Sequence, residues 1–135
     1  MPQTIIGNWL EQLTCSVKKR DLAAHMRLVS ERVQVYGLPG GQIVDYNQWK
    51  KRRHTEFSQA QLLALDYRLL NIKTITPRRL GFHVEETMQA CNGMCIFIDK
   101  DIILELEADD QWRVVEENIH HWKQVAWQGY IDRPL

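Results

Sequence analysis

The sequence predicts an α+β fold in which helices form the first half of the chain and long antiparallel strands form the second. Apolar residues recur at three- and four-residue spacing up to about residue 57 and alternate with polar ones from about residue 62. Asn92-Gly93, a dipeptide typical of a tight hairpin, joins two of the alternating segments. At 135 residues and 16.0 kDa, the chain is expected to form a single domain over residues 1–135.

The first two helices are predicted from stripes of apolar residues. The first helix runs from about Thr4 to Lys19 and ends in cations, which favour the negative end of a helix dipole. Its stripe consists of Ile6, Trp9, Leu10, Leu13 and Val17. Asp21 is a good N-cap for the second helix. The stripe of the second helix consists of Leu22, Met26, Val29 and Val33.

A short strand and a third helix are predicted next. Residues 33–36 suit a strand, and the segment 37–41, which is rich in glycine and proline, predicts a loop. Asp45 and Gln48 form the capping-box pattern that opens a helix. The buried stripe of this helix is expected to consist of Tyr46, Trp49, Arg53 and Phe57.

Four long strands are predicted at 62–76, 79–91, 94–107 and 111–122. In the first of them the apolar positions change parity at Leu69-Leu70, which predicts a β-bulge and a strongly curved sheet. On both sides of Asn92-Gly93 the apolar positions are even-numbered. Because a two-residue turn would pair even with odd positions, a single buried face requires an odd loop, such as a three-residue loop with Gly93 in the left-handed region.

At this point the chain resembles the NTF2-like superfamily, which includes SnoaL-like and ketosteroid-isomerase-like proteins. The resemblance covers nearly the whole chain and rests on four segments: the helix junction Arg20-Asp21, VQVYG at 33–37, DYNQWKKRRHTEF at 45–57 and LELEADDQWRVVEE at 104–117. It implies a cone of three N-terminal helices packed on a strongly curved, mainly antiparallel sheet that encloses an apolar pocket. The superfamily contains isomerases, dehydratases, cyclases and non-catalytic binding modules, so the fold does not select a function.

The resemblance does not extend to the steroid-isomerase site. That branch has a tyrosine on the first helix, where this chain has 13–17 without one, and an aspartate after the first strand, where this chain has Val35-Tyr36-Gly37. The strand position of its second acid falls in the aliphatic segment 102–104. The steroid-isomerase mechanism is therefore not expected.

Glu86 and Lys100 interrupt the apolar, even-numbered face of the central hairpin. With an odd loop they are neighbours across the ladder, so we expect both on the concave face and close enough to pair. Glu86 is then a candidate general acid or base, and Lys100 is a candidate ligand-binding cation that tunes it. The alternative is an ion pair at the solvent-exposed rim.

On the last strand, the resemblance implies that two side chains point into the pocket. These are Glu116, a second candidate catalytic carboxylate, and Asn118, a candidate ligand-binding amide, while Glu117 would face outward. Val114 and Val115 are both apolar, so alternation does not decide the facing, and the reversed arrangement stays open.

Five residues of the first half complete the candidate ligand-binding set. Tyr36, Tyr46 and Trp49 lie beside the glycine-rich loop, where aromatic rings can stack on a flat ligand, although an aromatic residue at helical spacing is also typical of a core. Arg53 can receive an anion or extend to the surface. His25 flanks the stripe of the second helix and is a candidate base near neutral pH, with a buried or half-exposed histidine as the alternative.

No metal site and no cofactor are predicted. His83 and the pair His120-His121 are common metal-ligand residues, but no carboxylate or cysteine completes a set at a recognisable spacing along the chain. Glycine-rich nucleotide-binding motifs are also missing. The three cysteines, at 15, 91 and 95, form no CxxC pair, and we expect reduced thiols and a cytoplasmic protein.

The balance of seventeen basic and seventeen acidic residues argues against nucleic acid as a partner. No segment approaches the ~18 apolar residues of a membrane span, so no membrane partner is expected either. Two functions remain. The first is a site for a small apolar, carbonyl-bearing molecule, as in a cofactor-independent lyase, isomerase or cyclase. The second is a non-catalytic interaction or dimerisation module.

A homodimer is expected through the outer face of the sheet and a C-terminal tail of about 123–135. Phe97 and Ile103 are apolar residues on the otherwise polar, odd-numbered face. The end of the chain adds apolar residues that suit packing against a partner, namely Trp122, Val125, Trp127, Tyr130 and Ile131.

Overall fold

The computed structural model describes residues 1–126, and these form an α+β fold of three helices and a five-stranded curled sheet. The helices are α1 (Pro2–Lys18), α2 (Leu22–Met26) and α3 (Tyr46–Ser58). The strands are β1 (Val29–Tyr36), β2 (Leu62–Thr76), β3 (Arg79–Ala90), β4 (Met94–Leu106) and β5 (Trp112–Ala126). A short 3-10 turn at Pro39–Gly41 lies in the loop between β1 and α3.

The sheet has the strand order β1-β5-β4-β3-β2. All neighbouring strands are antiparallel except β1 and β5, which are parallel. Helix α1 packs on the concave face, where Trp9 meets Phe82 of β3 edge-to-face at 6.4 Å between ring centroids. The indole N–H of Trp9 also donates a hydrogen bond to the Leu28 carbonyl at 3.1 Å. Because the predicted α1 stripe lies in this core, the amphipathic pattern correctly identified the buried face of the helix.

The second helix is shorter than its stripe predicted. It ends at Met26, and Val29 and Val33 belong to strand β1, so the helical interpretation of these two valines is wrong. Asp21 does cap the helix, since its side chain accepts a hydrogen bond from the Ala24 amide at 3.0 Å. After the helix, β-branched residues favour an extended backbone. The chain around Val29 pairs with Val114 of β5, which provides partners for its backbone hydrogen-bonding groups.

The predicted register of the central hairpin is confirmed. Met88 pairs with Ile96, so even positions pair with even positions across a loop of three residues. Gly93 has φ +79°, as the left-handed position of this loop requires. The predicted bulge in β2 is also confirmed, because Leu69 pairs with Val84 while Asn71 pairs with His83, which leaves Leu70 unpaired.

Strand β5 contains two irregularities that alternation did not reveal. Leu104 pairs with Val114 and Ile103 with Glu116, so Val115 is an extra residue, and Val114 and Val115 are both buried. A second extra residue is His120, which lies between the pairs Lys100–Ile119 and Asp99–His121. Each bulge reverses the facing of the residues that follow it.

The last strand is also longer than predicted, because it continues to Ala126 instead of ending at 122. Val125, assigned above to the tail, therefore belongs to the sheet together with Trp122. Trp127, Tyr130 and Ile131 lie outside the described residues.

Gly37 lets the end of β1 approach the second bulge of β5. A Cβ atom there would lie 2.1 Å from the Ile119 carbonyl oxygen, and its φ of +88° is one that other residues rarely adopt. None of the helices within residues 1–126 has the length and apolarity that a membrane span needs. The cysteines are free thiols, with Cys95 buried and the other two exposed.

Candidate functional site

A cavity of about 270 Å³ lies between α3, the loop that precedes it and the concave face of β3, β4 and β5. Most of its wall is apolar, with side chains that include Val35, Val44, Met88, Ile96, Ile98 and Ile119. Six charged residues also line it, namely Arg52, Arg53, Glu56, Glu86, Lys100 and Glu117. An apolar cleft with a few convergent polar groups is the usual form of a small-molecule site.

Lys100 links two carboxylates on the concave face. Its ammonium nitrogen lies 3.0 Å from Oε2 of Glu86 and 2.9 Å from Oε1 of Glu117. The three side chains are only 6%, 3% and 4% exposed, respectively. The predicted placement of Glu86 and Lys100 as a pair on the concave face is confirmed, and the exposed-rim alternative is wrong.

The structure places Glu117, and not Glu116, on the concave face. Glu116 and Asn118 lie on the outer face, where the Asn118 amide donates a hydrogen bond to Glu116 at 2.7 Å. Their predicted placement in the pocket is wrong because the bulge at Val115 inserts one residue and reverses the facing of the strand. The reversed alternative is the arrangement that the chain adopts.

Glu86 and Glu117 have pKa values that are shifted in opposite directions. Burial alone would raise the pKa of Glu86, but the Lys100 ammonium and a hydrogen bond from the Tyr67 hydroxyl outweigh it and lower that pKa. Burial raises the pKa of Glu117, Lys100 offsets the rise only in part, and the negative charge of Glu86 adds to it. Glu86 is thus held as an anion, whereas Glu117 takes up a proton more readily than an ordinary glutamate.

One oxygen of Glu117 has no hydrogen-bond partner within residues 1–126. Its Oε1 accepts from Lys100, but its Oε2 is buried and unpaired. An unpaired buried polar atom costs free energy, and such atoms are rare in folded proteins, so each one calls for an explanation. Glu117 is also one of the residues that line the cavity.

Arg53 and Trp49 form the helical side of the cavity, as their stripe on α3 predicted. The Arg53 guanidinium pairs with Glu56 at 2.6 Å and lies 5.8 Å from the centre of the Trp49 ring. Burial would lower the pKa of Arg53, but Glu56 and Glu86 outweigh it, so the pKa is raised and the side chain stays charged. Its hydrogen bonds use Nε, toward His25, and Nη1, toward Glu56, which leaves Nη2 without a hydrogen-bond partner within residues 1–126.

His25 is buried and does not line the cavity. Its Nε2 accepts hydrogen bonds from Trp49 at 3.0 Å and from Arg53 at 3.3 Å, and its Nδ1 is 3.0 Å from the Ser16 hydroxyl. Burial, followed by repulsion from Arg53, lowers its pKa to about 2. His25 is therefore a neutral acceptor that holds Trp49 and Arg53 in place, and its predicted placement as a pocket base is wrong.

Tyr36 and Tyr46 lie outside the cavity. The Tyr36 hydroxyl donates to the side chain of its neighbour Gln34, and Tyr36 pairs with Asn118 of β5. Tyr46 packs against the hydrophobic core and lines a separate surface groove beside α2. Their predicted position at the pocket mouth is wrong, because strand alternation turns Tyr36 away and Tyr46 opens α3 on its far side.

Sequence reasoning missed four members of the site. Tyr67 pairs across the ladder with Glu86, a relationship that followed from the predicted strand pairing once the register was known. Glu56 lies three residues after Arg53, a helical spacing typical of an ion pair. Glu117 and Trp122 were hidden by the bulges of β5, which bring both onto the concave face.

Many solved structures resemble this fold, among them the following three. An NTF-2 like protein of unknown function from Shewanella oneidensis has a TM-score of 0.75 and 15% identity, covering 88% of this chain and 98% of its own. A candidate scytalone dehydratase from Novosphingobium aromaticivorans has a TM-score of 0.70 and 10% identity, covering 92% and 86%. A ketosteroid isomerase-like protein from Erwinia carotovora has a TM-score of 0.65 and 10% identity, covering 86% and 92%.

No protein-family model and no curated protein match the sequence. The similarity therefore lies in the three-dimensional structure, where it extends over most of the chain and over most of each neighbour. It agrees with the order of the three helices and with the curled five-stranded sheet. On these grounds the chain has the NTF2-like fold.

Proposed function

We propose that the concave cavity binds a small, mainly apolar molecule with a carbonyl group, and that Glu117 transfers a proton on that molecule. The observation that carries the proposal is that Glu117, whose Oε2 is buried and unpaired within residues 1–126, lines a mainly apolar cavity. A neutral Glu117 can donate a hydrogen bond to a carbonyl oxygen, and an ionised Glu117 can accept a proton from a neighbouring carbon.

The size and lining of the cavity support a small ligand. Its volume of about 270 Å³ is close to the ~300 Å³ at the lower end of ligand pockets. Apolar side chains of the sheet, of α3 and of the loop before α3 form most of the wall and would bury an apolar skeleton. The polar groups lie at one part of the wall, which would fix the orientation of a single oxygen-bearing group.

The charges in the site support proton transfer without a cofactor. Two carboxyls whose pKa values are pushed apart are typical of acid–base sites, and here Glu86 is the fixed anion and Glu117 the titrating group. Glu117 would take a proton from the carbon beside the carbonyl, and the electron pair of that C–H bond would move onto the carbonyl oxygen. The free Nη2 of Arg53 would stabilise that oxyanion.

The proton held by Glu117 completes the reaction in one of three ways. Its return to a different carbon re-forms the carbonyl group and gives an isomerisation. In an elimination, the enolate electrons re-form the carbonyl and a new C=C bond as a leaving group departs from the neighbouring carbon, and Glu117 gives its proton to that group. In a cyclisation, the enolate carbon attacks a second carbonyl of the same molecule, and Glu117 protonates the oxyanion formed there. The names of two structural neighbours, a candidate dehydratase and an isomerase-like protein, agree with this class of chemistry.

A thermal-shift screen of apolar ketones, enones and hydroxy ketones tests the proposal. A ligand that binds only the native state stabilises it by ~2.7 kcal/mol at about 100 times its Kd, which is a shift of several degrees. The variant Ile98→Trp fills the cavity and should abolish the shift. Phe97→Trp, at the adjacent outward position, is the matched control and should keep it. No binding compound, or equal shifts in both variants, would contradict the proposal.

We also propose a homodimer through the outer face of the sheet, the second function class. Phe97 is 37% exposed on this face, and an exposed aromatic ring on a sheet is typical of a contact with a partner. Leu70, the bulged residue of β2, is a second large apolar residue of the sheet, and it is 44% exposed. The two proposals are compatible, because the cavity lies on the opposite face.

A further inference from the structure

Two histidines and an aspartate meet on the outer face of the sheet, on three neighbouring strands. His83 of β3 pairs in register with Asp101 of β4, and its Nδ1 lies 2.7 Å from Oδ1 of that aspartate. His120 is the extra residue of the second bulge in β5, and its Nε2 lies 2.8 Å from Oδ2 of Asp101. The two imidazole rings stack with their centroids 5.7 Å apart.

The three side chains are close enough to share one ion. One ligand atom from each residue lies within 4.8 Å of the other two. Metal–ligand bonds of about 2.0–2.2 Å in a tetrahedral site separate neighbouring ligand atoms by roughly 3.4 Å. Small changes in side-chain torsion would open the contacts of 2.7 and 2.8 Å to that spacing, with the ion replacing the protons that the imidazoles share with Asp101.

A fourth residue, Asp99, is positioned to contact a metal-binding histidine and not the ion itself. Its Oδ1 lies 2.7 Å from Nε2 of His83, yet this buried oxygen has no aligned hydrogen-bond donor. A neutral imidazole has a single N–H and cannot donate to Asp99 and Asp101 at once. With a metal on Nδ1, the N–H of Nε2 would turn to Asp99, which is the carboxylate–histidine–metal arrangement of known metal sites.

The charge and exposure of the cluster suit a cation from solution. Within residues 1–126, no lysine or arginine lies within 4 Å of the carboxylate of Asp99 or Asp101, whose ion-pair contacts are with these two histidines alone. The side chains of Asp101 and His120 are 41% and 44% exposed, so an ion can reach them without any movement of the backbone. The positions on paired strands hold the Cα atoms of the ligands in place.

We propose that His83, Asp101 and His120 bind a divalent transition-metal ion of the zinc type, with Asp99 as the positioning residue for His83. Imidazole and carboxylate donors suit Zn²⁺, Co²⁺ and Ni²⁺, and three protein ligands leave one position open to water. The site is on the opposite face of the sheet from the cavity and does not depend on the function proposed for that cavity. Sequence spacing could not predict it, because three separate strands supply the ligands.

Calorimetric titration of Zn²⁺ into the chelator-treated full chain tests the site. We expect a single equivalent to bind, and His83→Ala, Asp101→Asn and His120→Ala each to weaken the affinity by more than about tenfold. Asp99→Asn should weaken it by about tenfold or more through the orientation of His83. Circular dichroism checks that each variant is folded.

Two controls separate this cluster from other zinc ligands of the chain. His121→Ala removes the adjacent histidine of β5 and should leave the affinity unchanged. The Co²⁺ complex should lack the intense charge-transfer bands of thiolate ligands, which would appear if Cys91 or Cys95 were involved. The proposal is overturned by the absence of Zn²⁺ binding, by an equal effect of His121→Ala and His120→Ala, or by a thiolate spectrum.

Discussion

The Lys100 ammonium lies 3.0 Å from Oε2 of Glu86, and both side chains are almost completely buried on the concave face of the sheet. Val84 lies directly opposite Lys100 and Ile98 directly opposite Glu86, so the charged pair is diagonal across the β3–β4 ladder. A charge in such a place is stable only with a partner. Lys100 has two such partners, because Glu117 of β5 also accepts a hydrogen bond from its ammonium group. All three side chains line the cavity.

We expect Glu86→Gln to reduce the free energy of unfolding by about 3 kcal/mol, since it breaks a buried ion pair while Lys100 keeps Glu117 as a partner. The matched control is Glu85→Gln at the next position, where the carboxylate is 47% exposed and pairs with an exposed Arg68. The free energy of unfolding of Glu85→Gln should be lower than that of the wild type by no more than about 0.5 kcal/mol. Urea unfolding of both variants gives the comparison, and equal losses would mean that the Glu86 pair contributes no more than a surface pair.

The raised pKa of Glu117 predicts a specific dependence of stability on pH. Because the folded state holds the proton more tightly, the contribution of this carboxyl is full below its ordinary pKa of 4.5 and is lost as the pH rises through the folded pKa. Glutamine does not titrate, so the Glu117→Gln variant does not lose stability in this way as the pH rises. The unfolding free energy of the variant minus that of the wild type should therefore increase with pH above about 4.5, by at most about 1.4 kcal/mol per pH unit. Parallel curves for the two proteins would show that Glu117 is not shifted.

The central hairpin and β5 differ in how much of their structure could be predicted from the sequence. Regular alternation in β3 and β4 allowed the loop length, the register and the concave placement of Glu86 and Lys100 to be predicted from parity alone. In β5, Val115 and His120 are extra residues, and each reverses the alternation. Two adjacent valines are compatible with either facing, so Glu116 and Glu117 could not be distinguished before the pairing with β4 was known.

Contacts between distant segments were also beyond sequence reasoning. The buried face of α1 was predicted correctly from its apolar stripe. The contact between Ser16 of that helix and His25 of α2, in contrast, depends on how the two helices pack. The same holds for His25 and the side chains of α3, which bury its ring and remove it from the cavity. A histidine beside an apolar stripe is compatible with both a base and a core acceptor, and only the packing decides.

His25 should make the protein sensitive to mild acid. Its folded pKa is lowered to about 2 from an ordinary 6.5, so its contribution to stability is present above pH 6.5 and is lost as the pH falls toward 2. The loss is at most about 1.4 kcal/mol per pH unit. His25→Gln keeps an acceptor for Trp49 and Arg53 but cannot titrate, and its stability curve should be flatter than that of the wild type below pH 6.5. His54→Gln, an exposed position on α3, is the control, and an unchanged slope in His25→Gln would contradict the prediction.

We expect the protein to form a homodimer through the outer face. Sedimentation equilibrium at micromolar concentration should give a mass near twice 16.0 kDa. Phe97→Lys should shift the dimer to monomer by placing a charge in the contact. Ile43→Lys, at an equally exposed apolar residue in the loop before α3, should not. A mass near 16.0 kDa at all concentrations would rule out the dimer, and dissociation by both variants would place the contact elsewhere.

Ligand binding by two neighbouring variants tests most directly whether Glu117 contacts the ligand in the concave cavity. Glu117→Leu keeps the approximate size of the side chain but removes both oxygens, whereas Glu116→Leu makes the same change one residue away on the outer face. With a carbonyl compound from the thermal-shift screen, isothermal calorimetry should show a loss of affinity of about tenfold or more for Glu117→Leu, since a hydrogen bond to a charged or acidic group contributes ~1.5–3 kcal/mol. Glu116→Leu should bind as the wild type does. Equal affinities for all three proteins would show that Glu117 does not contact the ligand.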